Sequence, residues 1–185
     1  MDHDPIKTRI LIVKLAAVGD VLRTTSILPP LKQKYQGAHI TWVTKKNAAP
    51  LLSGNKCIDR ILSIEENYIE FLRNESFDIG ICLDSDPHSA TIHSVAECKN
   101  RFGFVANRAG AVTLANDMAS EWWLMGVNDD RKKKNRKTYQ QIMYEICDLP
   151  LPTQRPQLTL NDGVREFGAS FLRRNGIKSS SRIVG

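Results

Sequence analysis

Runs of hydrophobic residues alternate with helical patterns along most of this chain. The first run, from Arg9 to Leu15, is rich in β-branched and aliphatic residues on both faces, which is typical of a buried parallel strand. Residues 21–35 then place apolar side chains at roughly helical spacing. Pro29 and Pro30 lie inside this segment, and because proline disrupts a helix interior, they predict a kink or a distinct first turn.

The alternation of strand and helix patterns continues towards the C-terminus. Strands are predicted at 39–44, 58–62, 77–83 and 101–105, with helices at 48–52, 66–74, 91–98, 137–149 and 162–175. Residues 106–134 are rich in Gly, Asn and Asp and predict loops with short strands, and 182–184 begins like one more strand. This order predicts an α/β fold, a Rossmann-like parallel sheet flanked by helices.

Composition narrows the class of protein. The chain has 185 residues, 42% of them hydrophobic and 25% charged, which is ordinary for a soluble globular domain. No apolar run approaches the ~20 residues that span a bilayer, and the first residues lack a secretory pattern. The four cysteines form no C-x-x-C or zinc spacing. These features together predict a cytoplasmic protein.

The first strand ends in Gly19-Asp20, directly before a helical pattern. In open α/β sheets, ligands bind at the carboxyl ends of the strands. Glycine lets the backbone approach a ligand closely, and Thr24 and Thr25 follow one turn later. A carboxylate here could be a general base, or Asp20 could simply cap the helix. Residue type alone favours the cap.

The net charge of +6 is concentrated in one short segment. Residues 131–137 read Arg-Lys-Lys-Lys-Asn-Arg-Lys, six basic side chains in seven positions. Such a segment attracts anionic partners, or it is merely a solvated loop. Trp122 and Trp123 precede it, and they could stack on sugars, rest on a membrane interface or belong to the core.

The predicted strand at 77–83 leads into a polar loop on the same sheet edge as Asp20. Its sequence, Asp84-Ser-Asp86-Pro-His88, followed by His93, matches no recognised metal-ligand spacing. The simpler interpretation is that an Asp or Ser caps the next helix. Asp84 could also accept hydrogen bonds from the hydroxyls of a bound sugar at this edge.

Several of these segments together resemble a known family. Residues 10–25 (Ile-Leu-Ile-Val-Lys-Leu-Ala-Ala-Val-Gly-Asp-Val-Leu-Arg-Thr-Thr), Leu-Pro-Pro-Leu at 28–31 and Ile-Thr-Trp-Val-Thr at 40–44 look like the start of the heptosyltransferases, glycosyltransferase family 9. The resemblance continues through Phe-Asp-Ile-Gly-Ile-Cys-Leu-Asp at 77–84 and Arg-Phe-Gly-Phe at 101–104 to Lys-Thr-Tyr-Gln at 137–140. One departure is Ser26, where the family often has proline.

The resemblance implies a GT-B architecture with two Rossmann-like lobes and an inverting transfer of heptose from ADP-heptose to a lipopolysaccharide core acceptor. Residues 1–150 correspond to the acceptor-binding lobe, and 151–185 to a proline-rich connector, a helix and the start of a nucleotide-sugar lobe that the chain lacks. Asp20 matches the catalytic base. The implied substrate-binding residues are Gly19, Thr24, Thr25, Asp84, Arg136 and Lys137.

The same resemblance implies no metal and no cofactor, with the nucleotide sugar as co-substrate. The implied partner is a phosphorylated glycolipid acceptor, with peripheral contact to the inner face of the inner membrane. We expect the chain to be inactive alone.

Two features of the sequence bear on other classes of function. A nucleic-acid-binding module is suggested by the pI near 9.2 and the basic run, but no recognised nucleic-acid motif accompanies them. A dinucleotide enzyme is disfavoured because the first strand is followed by Ala-Ala-Val-Gly-Asp and not by G-x-G-x-x-G.

Overall fold

The structure, a computed structural model, describes residues 7–150, 155–178 and 180–182. Its six strands are β1 (Arg9–Val13), β2 (His39–Thr44), β3 (Arg60–Ser63), β4 (Ser76–Cys82), β5 (Glu97–Ala106) and β6 (Val112–Leu114). They form one sheet in the order β3-β2-β1-β4-β5-β6. All neighbouring pairs are parallel except β5–β6, which is antiparallel. The predicted parallel α/β sheet is confirmed.

The α-helices of the described residues are α1 (Val18–Thr24), α2 (Leu28–Lys34), α3 (Ala49–Leu52), α4 (Tyr68–Asn74), α5 (Pro87–Val95), α6 (Ser120–Val127), α7 (Asp129–Lys134), α8 (Tyr139–Ile146) and α9 (Asp162–Arg174). Two 3-10 turns lie at Thr25–Ile27 and Asp117–Ala119. The 3-10 turn at Thr25–Ile27 separates α1 from α2, and Pro29 then lies in the first turn of α2, where its missing N–H costs nothing. The predicted break near the two prolines is confirmed.

The chain order of the strands reverses next to β1. From β1 the chain moves outward to β2 and β3, and then returns to place β4 on the other side of β1. The carboxyl ends of β1 and β4 therefore flank a topological switch point, where open α/β sheets bind their ligands. Both polar segments singled out in the sequence, around Asp20 and Asp84, follow these two strands.

The core lies on both faces of the central strands. Residues 10–13 of β1 are fully buried, as is Trp42 of β2. Removing side chains of this size from water stabilises the fold by roughly 1.5–3 kcal/mol each. Helix α8 returns from late in the chain to pack against α1 and the 3-10 turn at Thr25–Ile27, and its buried Tyr144 donates a 2.6 Å hydrogen bond to the carbonyl of Ser26.

Two central strands approach each other so closely that glycine is required. Gly103 on β5 has φ near +85°, and a Cβ at this position would lie 1.8 Å from the carbonyl oxygen of Cys82 on β4. Any side chain would push β5 away from β4. This contact sets the spacing of the sheet next to the switch point.

Two predicted segments were wrong. Residues 106–134 do not form only loops and short strands, because α6 and α7 occupy much of them and place Trp122 and Trp123 on a helix. Helix α5 starts at Pro87 and not at Thr91, since Asp86 caps it and accepts the backbone N–H groups of His88 and Ser89. The strand predicted from Arg182 onward falls mostly on residues outside the described ones, and the division at residue 150 remains a prediction.

The C-terminal helix α9 stands apart from this core. It has no buried residue, although Val164, Phe167 and Phe171 give it a strongly apolar face. It is preceded by a short extended segment that reaches the body through Gln157. No helix in the described parts of the chain has the length and apolarity to cross a membrane.

Candidate functional site

The turn after β1 positions Asp20 at the carboxyl edge of the sheet. The N-cap of α1 is Ala17, whose carbonyl accepts the N–H of Asp20 at 2.8 Å and that of Val21 at 2.9 Å. Asp20 therefore lies inside the first turn, and its side chain does not cap the helix. Its carboxylate instead pairs through Oδ1 with the guanidinium of Arg23, three residues later.

Arg23 connects Asp20 to helix α8. Its guanidinium carbon lies 4.2 Å from the centre of the Tyr139 ring, a cation–π contact. The Tyr139 hydroxyl is 2.8 Å from the hydroxyl of Thr24. Burial raises the pKa of Tyr139, and the nearby charges of Asp20 and Asp84 add to that effect. The phenol therefore stays protonated at neutral pH. The guanidinium of Arg23 lies over the face of this uncharged ring.

Asp84 lies behind this edge, inside the protein. One carboxylate oxygen pairs with the ammonium of Lys14, and the other accepts the backbone N–H of Leu15 at 2.5 Å and of Ala16 at 3.4 Å. Ser89 also lies within 3.3 Å. A direct contact between Asp84 and a sugar would require these bonds to open. Through these bonds Asp84 fixes the turn that leads to Asp20.

Lys14, the ion-pair partner of Asp84, is also buried. Burial by itself would lower the pKa of Lys14, but its neighbours, Asp84 foremost and then Tyr139 and Asp20, together raise it. Lys14 therefore keeps its charge, opposite the Asp84 carboxylate in a site that is almost closed to solvent.

The two threonines of the motif are fully buried. The hydroxyl of Thr24 donates to the carbonyl of Asp20 at 2.7 Å and meets Tyr139. The hydroxyl of Thr25 donates to the carbonyl of Leu22 and accepts the N–H of Gln157 at 2.7 Å. Their contacts hold the helix and the connector in place. The prediction that they bind substrate is not tested by this geometry, but neither side chain is open to solvent.

A cleft of about 330 Å³ opens beside Arg23. Three basic side chains contribute to its walls together with aromatic, apolar and small polar ones. The residues lining it are Arg23, Ser85, Trp122, Met125, Gly126, Lys132, Asn135, Lys137, Tyr139 and Ile142. Trp122 packs edge-on against Tyr139 with ring centres 5.6 Å apart. The cleft is suited to a ligand that is anionic and has apolar or sugar faces.

Of the other predicted site residues, one lines the cleft and the rest lie outside its lining. Lys137 lines the cleft and also pairs with Glu145 at 2.7 Å, whereas Arg136 is exposed outside the lining. Gly19 is exposed in the first turn of α1, and a Cβ there would meet open space. Asp20 is itself outside the lining, and its partner Arg23 places it at the rim.

The polar loop after β4 has a structural role. Asp86 caps α5, as the simpler interpretation of this loop predicted. His93 is buried, and its Nδ1 lies 2.7 Å from the carbonyl oxygen of Phe104. Burial lowers the pKa of His93 to about 4, so the ring is neutral at physiological pH.

Three residues of the site were not identified from the sequence: Lys14, Arg23 and Tyr139. Lys14 could have been predicted, because it continues an apolar strand pattern and a buried lysine needs an acidic partner. The acidic loop after the neighbouring strand offers such a partner. Arg23 stands three residues after Asp20, a spacing that brings two side chains together on a helix. Tyr139 arrives from more than a hundred residues away, and no local pattern predicts that contact.

The fold and the site therefore define the class of this protein: it is an α/β lobe with a basic cleft at its topological switch point. Comparison with solved structures identifies the fold more closely. A glycosyl transferase of family 9 from Veillonella parvula aligns with a TM-score of 0.65 and 16% identity, over 92% of this chain and 51% of that one.

Two Escherichia coli structures give the same result. ADP-heptose lps heptosyltransferase II aligns with a TM-score of 0.56 and 19% identity, over 93% of this chain and 52% of its own. Heptosyltransferase WaaC with ADP-2-deoxy-2-fluoro heptose aligns with a TM-score of 0.53 and 19% identity, over 81% of this chain and 51% of its own. No protein-family model and no curated protein sequence matches the chain.

These alignments establish the fold: this chain has the fold of one half of a GT-B glycosyltransferase. It spans about half the length of the structures that it matches.

Proposed function

We propose that this chain is the acceptor-binding lobe of an inverting glycosyltransferase of the heptosyltransferase type. The carrying observation is the basic, aromatic-walled cleft at the switch point, with the Asp20–Arg23 pair at its rim. The fold supports the proposal, because open α/β sheets bind their ligands at the carboxyl ends of the strands beside the switch point.

The lining of the cleft supports a phosphorylated sugar acceptor of the lipopolysaccharide-core kind. Arg23, Lys132 and Lys137 supply positive charge from three different helices or turns. Guanidinium and ammonium groups form strong hydrogen bonds with phosphate and carboxylate. The flat faces of Trp122 and Tyr139 offer apolar surfaces on which a sugar ring can pack.

Asp20 is the proposed base of the transfer. Its Oδ1 pairs with Arg23, whereas its Oδ2 has no partner among the described residues. Oδ2 can therefore accept a proton from the acceptor hydroxyl. The acceptor oxygen then bonds to the anomeric carbon of the donor heptose, the bond from that carbon to the diphosphate breaks, and ADP leaves. Attack opposite the leaving group inverts the anomeric centre.

The donor, ADP-heptose, belongs to a second lobe. Since the chain spans about half of the matched structures, a nucleotide-sugar site on another lobe is part of this proposal, as is the absence of turnover by the 185 residues alone. The proposal includes no metal and no cofactor. It places the lobe in the cytoplasm, in peripheral contact with the inner face of the inner membrane, where a glycolipid acceptor is anchored.

Acceptor binding to the isolated lobe tests the proposal. The probe is a lipid-free, phosphorylated lipopolysaccharide core oligosaccharide, titrated while the fluorescence of the tryptophans, of which Trp122 lies in the cleft wall, is recorded. We expect saturable binding that Lys132→Glu weakens roughly tenfold or more, the loss of one charge-assisted bond. Lys56→Glu, an exposed lysine before β3, is the control and should bind like wild type.

Absence of binding, or equal binding by Lys132→Glu, would contradict the proposed acceptor site. The role of Asp20 needs a protein that contains both lobes. There, Asp20→Asn should leave acceptor affinity within about twofold and abolish transfer of heptose, because only proton removal is lost. Retained transfer would exclude Asp20 as the base.

A further inference from the structure

Asp20 is held at two of its groups, and both contacts lead to Tyr139. The carboxylate of Asp20 pairs with the guanidinium of Arg23, which in turn lies 4.2 Å from the centre of the Tyr139 ring. The backbone carbonyl of Asp20 accepts the hydroxyl of Thr24 at 2.7 Å, and that hydroxyl is 2.8 Å from the phenol oxygen of Tyr139. These four residues form a closed ring of contacts, which we call the Tyr139 circuit.

The direction of the hydrogen bond between Thr24 and Tyr139 follows from the number of protons. A threonine hydroxyl has a single proton to donate, and Thr24 donates it to the carbonyl of Asp20. Tyr139 is therefore the donor to Thr24, which requires a protonated phenol. Burial raises the pKa of Tyr139, so the phenol keeps this proton at neutral pH.

Tyr139 itself has a fixed position in the fold. It is the first residue of α8, directly after a capping box in which Thr138 and Gln141 each bond to the other's backbone N–H. The ring is buried, and Trp122 packs edge-on against it with ring centres 5.6 Å apart. A side chain that is locked in this way can support the geometry of more exposed neighbours.

The pair of Asp20 and Arg23 lacks such support of its own. The two side chains are 28% and 48% exposed, and an ion pair that is open to water restrains its partners only weakly. The structure describes no other hydrogen-bond or ion-pair partner for the guanidinium of Arg23. The face of the Tyr139 ring is therefore the surface that restricts Arg23, and Arg23 in turn restricts the carboxylate of Asp20.

We propose that Tyr139 is a positioning residue of the transfer, which acts on Asp20 through Arg23. The hydroxyl bond to Thr24 anchors the ring, the ring face restrains Arg23, and Arg23 holds Oδ1 of Asp20, so that Oδ2 stays free in one defined direction. The inference rests on the proposed function for the chemistry of Asp20 and adds which contact aims this base. A displacement of about 1 Å at a reacting group can cost about a hundredfold in rate.

A double-mutant cycle in a protein that contains both lobes tests the inference. Because Tyr139 also lines the cleft, kcat is measured at saturating acceptor, where lost contacts to bound sugar that raise KM alone are not counted. Tyr139→Leu and Arg23→Gln should each lower kcat at least about tenfold. In the Arg23→Gln protein, Tyr139→Leu should lower kcat by less than about twofold more, because its effect passes through Arg23. Tyr139→Phe, which keeps the ring, should recover most of the loss.

A matched variant separates positioning from general loosening of α8. Tyr144→Leu also removes a buried phenol of this helix, one that donates to the carbonyl of Ser26 in the segment after Asp20. It should lower the stability of the protein but leave kcat within about twofold of wild type. Equal losses of kcat in Tyr144→Leu and Tyr139→Leu would overturn the inference, as would additive losses from Tyr139→Leu and Arg23→Gln.

The contact itself is tested in the 185-residue chain by NMR spectroscopy. The ring current of Tyr139 should shift the side-chain proton signals of Arg23 in wild type and in Tyr139→Phe, and the signals should return to ordinary positions in Tyr139→Leu. Ordinary positions in wild type would overturn the inference. Absence of heptose transfer by a wild type that contains both lobes would contradict the proposed function and this inference with it, whereas additive losses in an active enzyme would contradict the inference alone.

Discussion

The ammonium group of Lys14 and the carboxylate of Asp84 are paired inside the protein, just beyond the carboxyl ends of the adjacent strands β1 and β4. Their side chains are only 3% and 8% exposed. The same carboxylate accepts the N–H of Leu15, so the pair fixes the direction in which the chain leaves β1 and enters α1. The position of Asp20 at the rim depends on this internal contact.

Removing one partner of the pair should destabilise the protein strongly. Lys14→Met leaves a buried carboxylate without its counter-charge, and such losses cost about 3–5 kcal/mol. The free energy of unfolding in urea measures the effect. Lys99→Met, which breaks the exposed pair with Asp78, is the matched control and should cost at most about 1 kcal/mol. Equal effects of the two changes would contradict the role given to Lys14.

The fold could be predicted from the sequence because its strongest signals are local. The first strand, the break near Pro29 and the helix at α8 each have a periodic pattern that tertiary contacts did not override. Helix α7 was missed, although Asn128 is a good N-cap followed by acids and then bases, the order that the helix dipole favours.

The site was predicted less well, because its geometry depends on contacts between distant residues. The sequence placed Asp84 on the correct edge, but only the fold shows that Lys14 contacts it from the end of the neighbouring strand β1. Likewise, Thr24 and Thr25 are near Asp20 in the chain and yet point into the core, where Tyr139 and Gln157 meet them. Burial of a polar side chain is a property of the packed structure.

Thr25 should control the order of the connector before α9. Thr25→Val keeps the shape of the side chain but removes the acceptor for the Gln157 N–H, a loss of about 1 kcal/mol that acts locally. Hydrogen exchange should become faster at residues 155–160 while exchange in β1 is unchanged. Thr91→Val, on the exposed side of α5, serves as the control. Unchanged exchange at Gln157 would show that this bond does not hold the connector.

Stability should fall in mild acid because of His93. Burial lowers the pKa of His93 to about 4 in the folded protein, whereas in the unfolded chain the ring takes up a proton near its ordinary pKa of about 6.5. The contribution to stability is therefore complete above about pH 6.5 and is lost as the pH falls towards 4. Between pH 7 and 5 the loss is about 2 kcal/mol.

His93→Asn tests this assignment, because an amide can still donate to the carbonyl of Phe104 but does not titrate. Urea unfolding at pH 7 and pH 5 should show a smaller difference for this variant than for wild type, by about 2 kcal/mol. His88→Asn, at an exposed position, is the control and should behave like wild type. An equal pH dependence in wild type and His93→Asn would exclude His93 as its source.

Helix α9 should contribute nothing to the stability of the sheet. Its Phe167 and Phe171 are 66% and 49% exposed, so Phe167→Asp, Phe171→Asp removes no buried contact and should change the free energy of unfolding by less than about 0.5 kcal/mol. Phe77→Ala, in the buried part of β4, should cost about 3–5 kcal/mol by comparison. A helix of 13 residues with an unburied apolar face is marginal in water, so its amides should exchange rapidly. Slow exchange in α9 together with a large loss of stability in the double variant would show that this helix packs on the body of the lobe.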